Sequence, residues 1–259
     1  MTPKLTRRTR ALSLAAIILA VGSAAGFYFW SEKGRDTLYN EETVAIMRRV
    51  MRPDSNGIDV GAFEGELTRP MVRIAPRGTH YAIEPQPAYA ARLRKKFPQV
   101  KVREVALGEA EGTTTFTLAL DDPAYSGFKP QAYPRADEQT RTIQVRVARL
   151  DDLVPVTMPI GFIKIDVEGA EFLVLRGAKE LIRRDRPVIV FEYGQTGMQD
   201  FGTMPAMMWA LLHDELGLEL SLMRTWLDDG PALTADAFSR IAWAGTDWMF
   251  IAYPPSRKP

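Results

Sequence analysis

None of the 259 residues is a cysteine. That excludes disulfides, thiolate nucleophiles, Cys-ligated zinc and Cys-held iron–sulfur clusters together, and with the last of these any radical chemistry run on such a cluster. It leaves the compartment open, because a cysteine-free protein suits either redox environment. Histidine is nearly as scarce: His80 and His213 are the only two, too few for a His-rich metal site. Charge of one sign is lacking as well. With 33 Lys and Arg against 32 Asp and Glu, the formal net charge is +1, so no global field recruits nucleic acid or an acidic substrate. Nor does any basic stripe interleave with aromatics. What is present is an ordinary globular composition, 46% hydrophobic and 25% charged, which supports a substantial core.

One long hydrophobic run stands out. Residues 11–30 read ALSLAAIILAVGSAAGFYFW, without a charge. As a helix rising about 1.5 Å per residue, such a run spans roughly 30 Å, the thickness of a bilayer's hydrocarbon core. Lys4, Arg7, Arg8 and Arg10 precede it and Phe27, Tyr28, Phe29 and Trp30 close it, the flanks of a single-pass anchor. A cleavable export signal competes, since Gly22, Ser23, Ala24 and Ala25 supply small residues and Thr6-Arg7-Arg8 resembles a twin-arginine start. The apolar run continues past those small residues, which favours the anchor. The expected division is a basic tail at 1–10, an anchor (or export signal) at 11–30, a polar linker at 31–40 and one globular domain at 41–259. The location is then a membrane, single-pass, with the side left open.

Beyond a short amphipathic helix expected at 41–51, apolar runs alternate with helical patterns. Strands fit Gly57–Val60, His80–Glu84, Lys101–Leu107, Phe162–Asp166 and Val188–Glu192. Helices fit stretches near 65–75, 87–96, 170–183 and 203–216. This alternation implies an α/β fold, a doubly wound and mostly parallel sheet covered on both faces. Thr113–Leu118 and Thr142–Val147 alternate without a helix between them and read as an added antiparallel pair. Leu218–Met223 and Trp248–Ala252 read as two closing strands, the last antiparallel. The segment 121–141, rich in Pro, Asp, Gln and Arg, is long for a compact domain and reads as a lid over an acceptor or as a solvated loop.

The first strand runs into Asp59-Val60-Gly61-Ala62-Phe63-Glu64-Gly65. Glycine here permits a sharp turn and lets a ligand approach the amides. Nineteen residues after Gly65, Glu84 ends the second strand, where a carboxylate can accept hydrogen bonds from both hydroxyls of a ribose. Together these specify a nucleoside-containing ligand. A nicotinamide oxidoreductase would carry Gly-x-Gly-x-x-Gly, which this loop does not. The glycines also read as plain turn formers.

Further strings extend the pattern in order: Ile83-Glu84-Pro85-Gln86-Pro87, then Ala106-Leu107-Gly108-Glu109, then Lys164-Ile165-Asp166-Val167-Glu168-Gly169-Ala170-Glu171. With the Asp-x-Gly-x-x-x-Gly loop they resemble the FkbM-type methyltransferases, over residues 56–193 and more loosely to 253. The resemblance implies the Rossmann-like class I methyltransferase fold, S-adenosyl-L-methionine as cofactor, and methyl transfer mostly to hydroxyl oxygens of sugars and natural products. It also implies cofactor contacts at Asp59, Gly61, Gly65 and Glu84, a turn at Ala106-Leu107 bordering the adenine, and Asp166 at the rim between cofactor and acceptor. Phe63 and Glu64 stand where the family often carries Asn and a small apolar residue, and Arg149 stands where Thr is expected, which bears on the acceptor more than on the chemistry.

A neutral hydroxyl acceptor must lose its proton, which a positioned carboxylate can take. Asp166 and Glu192, at carboxyl ends of strands, are the catalytic candidates, because open α/β sheets bind ligands at that edge. Asp166 also reads as an acceptor for backbone amides, and Glu192 equally as a strand-end polar residue. Glu168 and Glu171 read first as acids at a helix start, Lys164 as an ion-pair partner, and His80 and His213 as packed or surface histidines. Two carboxylates are too few to assign a metal. The partner expected is a small-molecule, glycan or lipid-linked acceptor, with no nucleic acid. A membrane-tethered S-adenosylmethionine-binding module without catalysis is the alternative.

Overall fold

Seven strands form the main sheet of the computed structural model, which describes residues 32–129 and 137–257. They are β1 (Asn56–Val60), β2 (His80–Ile83), β3 (Lys101–Arg103), β7 (Ile160–Ile165), β8 (Val188–Glu192), β9 (Glu219–Leu222) and β10 (Met249–Tyr253). A smaller sheet holds β4 (Ala106–Leu107), β5 (Gly112–Ala119) and β6 (Thr140–Ala148). The main sheet runs β3-β2-β1-β7-β8-β10-β9. Its first five strands are parallel, and β10 inserts antiparallel between β8 and β9. This is the doubly wound, mostly parallel arrangement with an antiparallel last strand. Ile189, Val190 and Phe191 of β8 are wholly buried, as a central strand covered on both faces requires. The strand order reverses between β1 and β7, so their carboxyl ends open the crevice where such sheets take ligands.

The chain divides into two compact units, Met1–Glu41 and Glu42–Pro259. A helix begins at Glu32 and runs to Val50, so the stretch expected as a polar linker at 31–40 is helical from Glu32 onward. Within the larger unit, Glu42 pairs with Arg224 at 2.9 Å and the Arg49 guanidinium lies 5.1 Å from the centre of the Trp226 ring. The run at 11–30 lies outside the described residues. Among the described residues no helix is long and apolar enough to cross a membrane.

Two expected elements are broken, each for a local reason. The single strand expected over Lys101–Leu107 is two. Only Lys101–Arg103 pairs with β2, while Ala106 and Leu107 pair with Val147 and Ala148 of β6. Between them Glu104 turns outward to Arg94 at 2.8 Å. The helix expected over 170–183 is also two, Glu171–Arg176 and Lys179–Asp185. At the break, a methyl group on Gly177 would stand 2.0 Å from the Gly108 carbonyl oxygen. Glycine alone lets the backbones meet there. Asp151 then starts the second piece by accepting from the Leu181 amide at 2.9 Å, while Arg149 pairs with that same carboxylate. The antiparallel pair without an intervening helix is β5 and β6, in register from Gly112–Val147 to Ala119–Thr140. Near 203–216 the helix Pro205–Trp209 widens into a π-helical segment, Ala210–Glu215.

Candidate functional site

β1 delivers the loop that begins at Gly61. The Gly61 and Ala62 amides both donate to the Ile83 carbonyl, at 3.0 and 3.1 Å, which folds the loop over the end of β2. Gly61 has φ +73°, and a methyl group there would lie 1.8 Å from the Asp166 carbonyl oxygen. No other residue type fits without moving the loop. Phe63 (φ +42°) and Gly65 (φ +77°) continue the left-handed turn, and the Gly65 amide donates back to Ala62 at 2.6 Å.

Glu84 follows β2 directly and is 3% exposed. Its Oε2 accepts from the Phe63 amide and its Oε1 from the Gln86 amide, both at 2.9 Å. Burial pushes its carboxyl up to about 7, against the opposing pull of those two amides and of Lys164. A carboxylate offers about four acceptor positions, so two remain for a ligand's hydroxyls. Gln86 Nε2 also donates to the Pro123 carbonyl at 3.2 Å, tying the segment after β5 to this corner.

Beside the loop lies an apolar cleft. Val60, Gly61, Ile83 and Pro85 form one side; Val105, Ala106, Leu107, Phe116, Phe128 and Val167 complete it. Phe128 packs edge-on to Phe116 and to Phe201, with ring centres 6.0 and 6.4 Å apart. A flat heteroaromatic ring suits such walls.

The far side of the loop is charged. Asp59 is buried; its Oδ2 accepts from Thr68 Oγ1 at 2.5 Å, while Oδ1 accepts no hydrogen bond and faces Lys164 Nζ at 3.8 Å. Lys164 Nζ donates to the Gly61 carbonyl at 3.0 Å and lies 3.4 Å from Asp166 Oδ2. Asp166, immediately after β7, is anchored by its amide to the Val60 carbonyl at 3.2 Å. Asp166, Glu168 and Glu192 each bring a carboxylate oxygen within 4.8 Å of the others. A hard cation could bridge that spacing, yet the Lys164 ammonium already balances charge at Asp166, and we assign no metal. Burial, then the carboxylates of Asp166, Glu168 and Glu171, hold the Glu192 carboxyl well above the usual range. Glu171 is buried, accepts from the Val167 and Gly169 amides at 2.9 and 3.1 Å, and is pushed up to about 7 chiefly by burial.

The fold thus brings Gly61, Ala106 and Leu107 to one cleft, with Glu84 between two of its lining residues. Asp166 and Glu192 meet at the neighbouring rim. Asp59 lies beneath the loop, and Gly65 packs instead against Phe97, where a methyl group would stand 2.4 Å from the ring. Neither histidine takes part: His80 Nε2 pairs with the Ala75 carbonyl at 2.8 Å, and His213 stacks on Trp209. Sequence reasoning missed Phe116, Phe128 and Val167 as cleft walls. The alternation of β5 could have offered Phe116, but nothing local links these residues to Gly61. Of the segment 121–141, residues 130–136 lie outside the described residues, and Phe128 is the part seen against the cleft.

The family model described as the methyltransferase FkbM domain matches residues 59–219. Among curated proteins, Methyltransferase 1 of Beauveria bassiana is 30% identical over 145 residues, covering 48% of this chain and 58% of that protein. The 2-O-methyltransferase NoeI of Sinorhizobium fredii is 26% identical over 175 residues, 62% of this chain and 71% of its own length. A solved FkbM methyltransferase from Methylobacillus flagellatus superposes with TM-score 0.48 at 17% identity, covering 78% of this chain and 44% of that one. Aeropyrum pernix fibrillarin, with natively bound S-adenosyl-L-methionine, gives 0.42 at 14% identity, covering 82% and 74%. The chain therefore spans under two thirds of the first curated relative and of the first solved structure.

Proposed function

The chain belongs to the FkbM methyltransferase family, and on that premise we propose that it is an S-adenosylmethionine-dependent methyltransferase acting on a hydroxyl oxygen of a glycan, lipid or other small-molecule acceptor. The observation that carries this reading is the convergence of three features: a loop with room only for glycine at Gly61, an apolar cleft beside it, and a buried carboxylate at Glu84. The residues present fit an adenosyl group. The cleft is apolar where a base would stack, Glu84 keeps two acceptor positions for ribose hydroxyls, and the tight turn at Gly61 brings the loop backbone to the cleft wall.

S-Adenosylmethionine, when bound, supplies a methyl group already activated by its sulfonium, so no covalent enzyme intermediate is needed. The protein's part is to align the acceptor and exclude water. Asp166 and Glu192 do the remaining work at the rim. Glu192, whose carboxylate oxygen lies beside those of Asp166 and Glu168, takes the acceptor's proton as the oxygen attacks, and Asp166 orients that hydroxyl. The name of NoeI, a 2-O-methyltransferase, favours oxygen as the acceptor atom. The charge-free run at 11–30 favours a membrane tether that brings the site to membrane-borne acceptors.

Titration calorimetry of the purified protein tests the cofactor reading, and Glu84→Ala should weaken binding strongly. No heat at millimolar S-adenosylmethionine would sink it. Methyl-labelled cofactor incubated with cell-envelope extract then identifies the acceptor. Binding without transfer to any extracted glycan or lipid would leave a non-catalytic module.

A further inference from the structure

Lys164 stands on β7 in register with Asp59 on β1, and its side chain is 7% exposed. Its neighbours Ile163 and Ile165 join the main core, so the strand's alternation turns Lys164 to the opposite face. Burying an ammonium is costly unless it is well partnered, and its partners therefore say what it is kept for. They lie on both halves of the site. The Gly61 carbonyl at 3.0 Å belongs to the cofactor loop, Asp166 Oδ2 at 3.4 Å to the acceptor rim, and Asp59 Oδ1 at 3.8 Å to the floor beneath them. Of these, Asp59 Oδ1 accepts no hydrogen bond from any other group.

We propose that Lys164 is a positioning residue that couples the two halves: its ammonium pins the Gly61 carbonyl and supplies the counter-charge for Asp59, Asp166 and the ribose-binding Glu84. This deepens the cofactor reading and rests on it. Burial by itself would lower the Lys164 ammonium, but Asp166, then Asp59, and beyond them Glu192 hold it charged. Lys164 in turn pulls the Glu84 carboxyl down, while Asp59 pushes it up. The groups facing Glu84 are the Phe63 and Gln86 amides, Lys164 and Asp59, with Tyr89 close by. Removing the ammonium therefore leaves Glu84 harder to ionise, and a ribose needs that carboxylate ionised.

The test is cofactor affinity against pH, by calorimetry on the full-length chain in mild detergent. The proteins compared are wild type, Lys164→Gln, Lys164→Met and Lys164→Arg. Gln keeps a donor for the Gly61 carbonyl without the charge, Met loses both, and Arg keeps the charge. Wild-type affinity should rise with pH and level off above the Glu84 titration. In the Gln and Met variants that bend should move up by about one pH unit, so that affinity falls about fivefold at pH 7, where the wild-type carboxyl is itself half ionised. The Gln variant should return to within about threefold of wild type by pH 9, and Arg should keep the wild-type bend. A bend that stays put in both neutral variants, or moves as far in Arg as in Gln, overturns the proposal. Circular dichroism checks folding. Should both neutral variants fail to fold, Lys164→Gln is made together with Asp59→Asn, which removes the buried carboxylate left without a counter-charge: the bend must lie higher in the double variant than in Asp59→Asn alone, and coincident bends refute the coupling. Absence of binding by wild type would instead remove the cofactor reading beneath it.

Discussion

Glu84 makes the fold carry a measurable burden at high pH. Its carboxyl is raised from the ordinary 4.5 to about 7, first by burial and against two backbone amides. An acid raised in this way holds a proton in the folded chain that the unfolded chain has already released. Its contribution to stability is therefore fully present below about pH 4.5 and is lost progressively as pH rises through about 7. At 1.36 kcal/mol per unit, a difference of about 2.5 units amounts to about 3 kcal/mol across that window. Glu84→Gln cannot titrate. It retains one carbonyl acceptor for one of the two amides and costs about 1–3 kcal/mol at all pH values for the other. Relative to wild type, then, the variant should be less stable at pH 4.5 and should gain about 3 kcal/mol between pH 4.5 and 8, ending near or above wild type. Urea unfolding of both proteins in cofactor-free buffer, at half-unit steps from pH 4.5 to 8, reads this difference directly. Glu171 is also raised to about 7 but is common to both proteins and cancels. Stability curves that stay parallel, with their separation constant to about 1 kcal/mol, would refute the assigned burial of an ionisable Glu84.

Gly61→Ala puts a methyl group 1.8 Å from the Asp166 carbonyl at φ +73°. The left-handed conformation costs about 1–2 kcal/mol and overpacking about 1–3, so Tm should fall by about 5–15 °C with loss of cofactor binding; a Tm within about 2 °C of wild type would contradict the geometry. Asp166→Asn and Glu192→Gln should each lower kcat by about 10²–10⁴-fold while calorimetry finds cofactor affinity changed by less than about threefold. Equal losses in affinity would move both residues from the acceptor rim to the cofactor pocket. Dialysis against EDTA should leave the methyl-transfer rate within about twofold, since Lys164 already compensates Asp166; abolition restored by magnesium would assign a cation to Asp166, Glu168 and Glu192.

The sheet was readable because its strands are continuous apolar runs punctuated by turn residues. Val188–Glu192 was placed to the residue, and the position of Glu84 at the end of β2, against the glycine loop, was readable from its spacing. Contacts made at long range were not readable. The break at Gly177 depends on Gly108, 69 residues earlier in the chain, and the departure of Ala106-Leu107 from the main sheet depends on pairing with β6. The cleft walls are of the same kind: Phe116 and Phe128 reach Gly61 only because the small sheet folds over the crevice. Periodicity reports which face of an element is buried, but not what it is buried against.

The string from Lys164 to Glu171 packs several roles into eight residues. Each of its polar residues works in a different direction. Lys164 reaches sideways to β1 and the glycine loop. Asp166 leaves the strand toward Glu168 and Glu192. Glu168 (φ +60°) and Gly169 (φ +102°) then reverse the backbone, which swings Glu168 back beside Asp166 and Glu192. Glu171 was expected to stabilise the start of its own helix, and it does open that helix. Its carboxylate, however, reaches back to the Val167 and Gly169 amides and clamps the reversed turn. Glu171→Gln keeps one acceptor for those amides and Glu171→Ala keeps none, so only the second should release Glu168 from the rim. A graded loss of kcat, small for Gln and large for Ala with cofactor affinity held, is the signature of a clamp. Equal losses in the two variants would make Glu171 a charged participant instead.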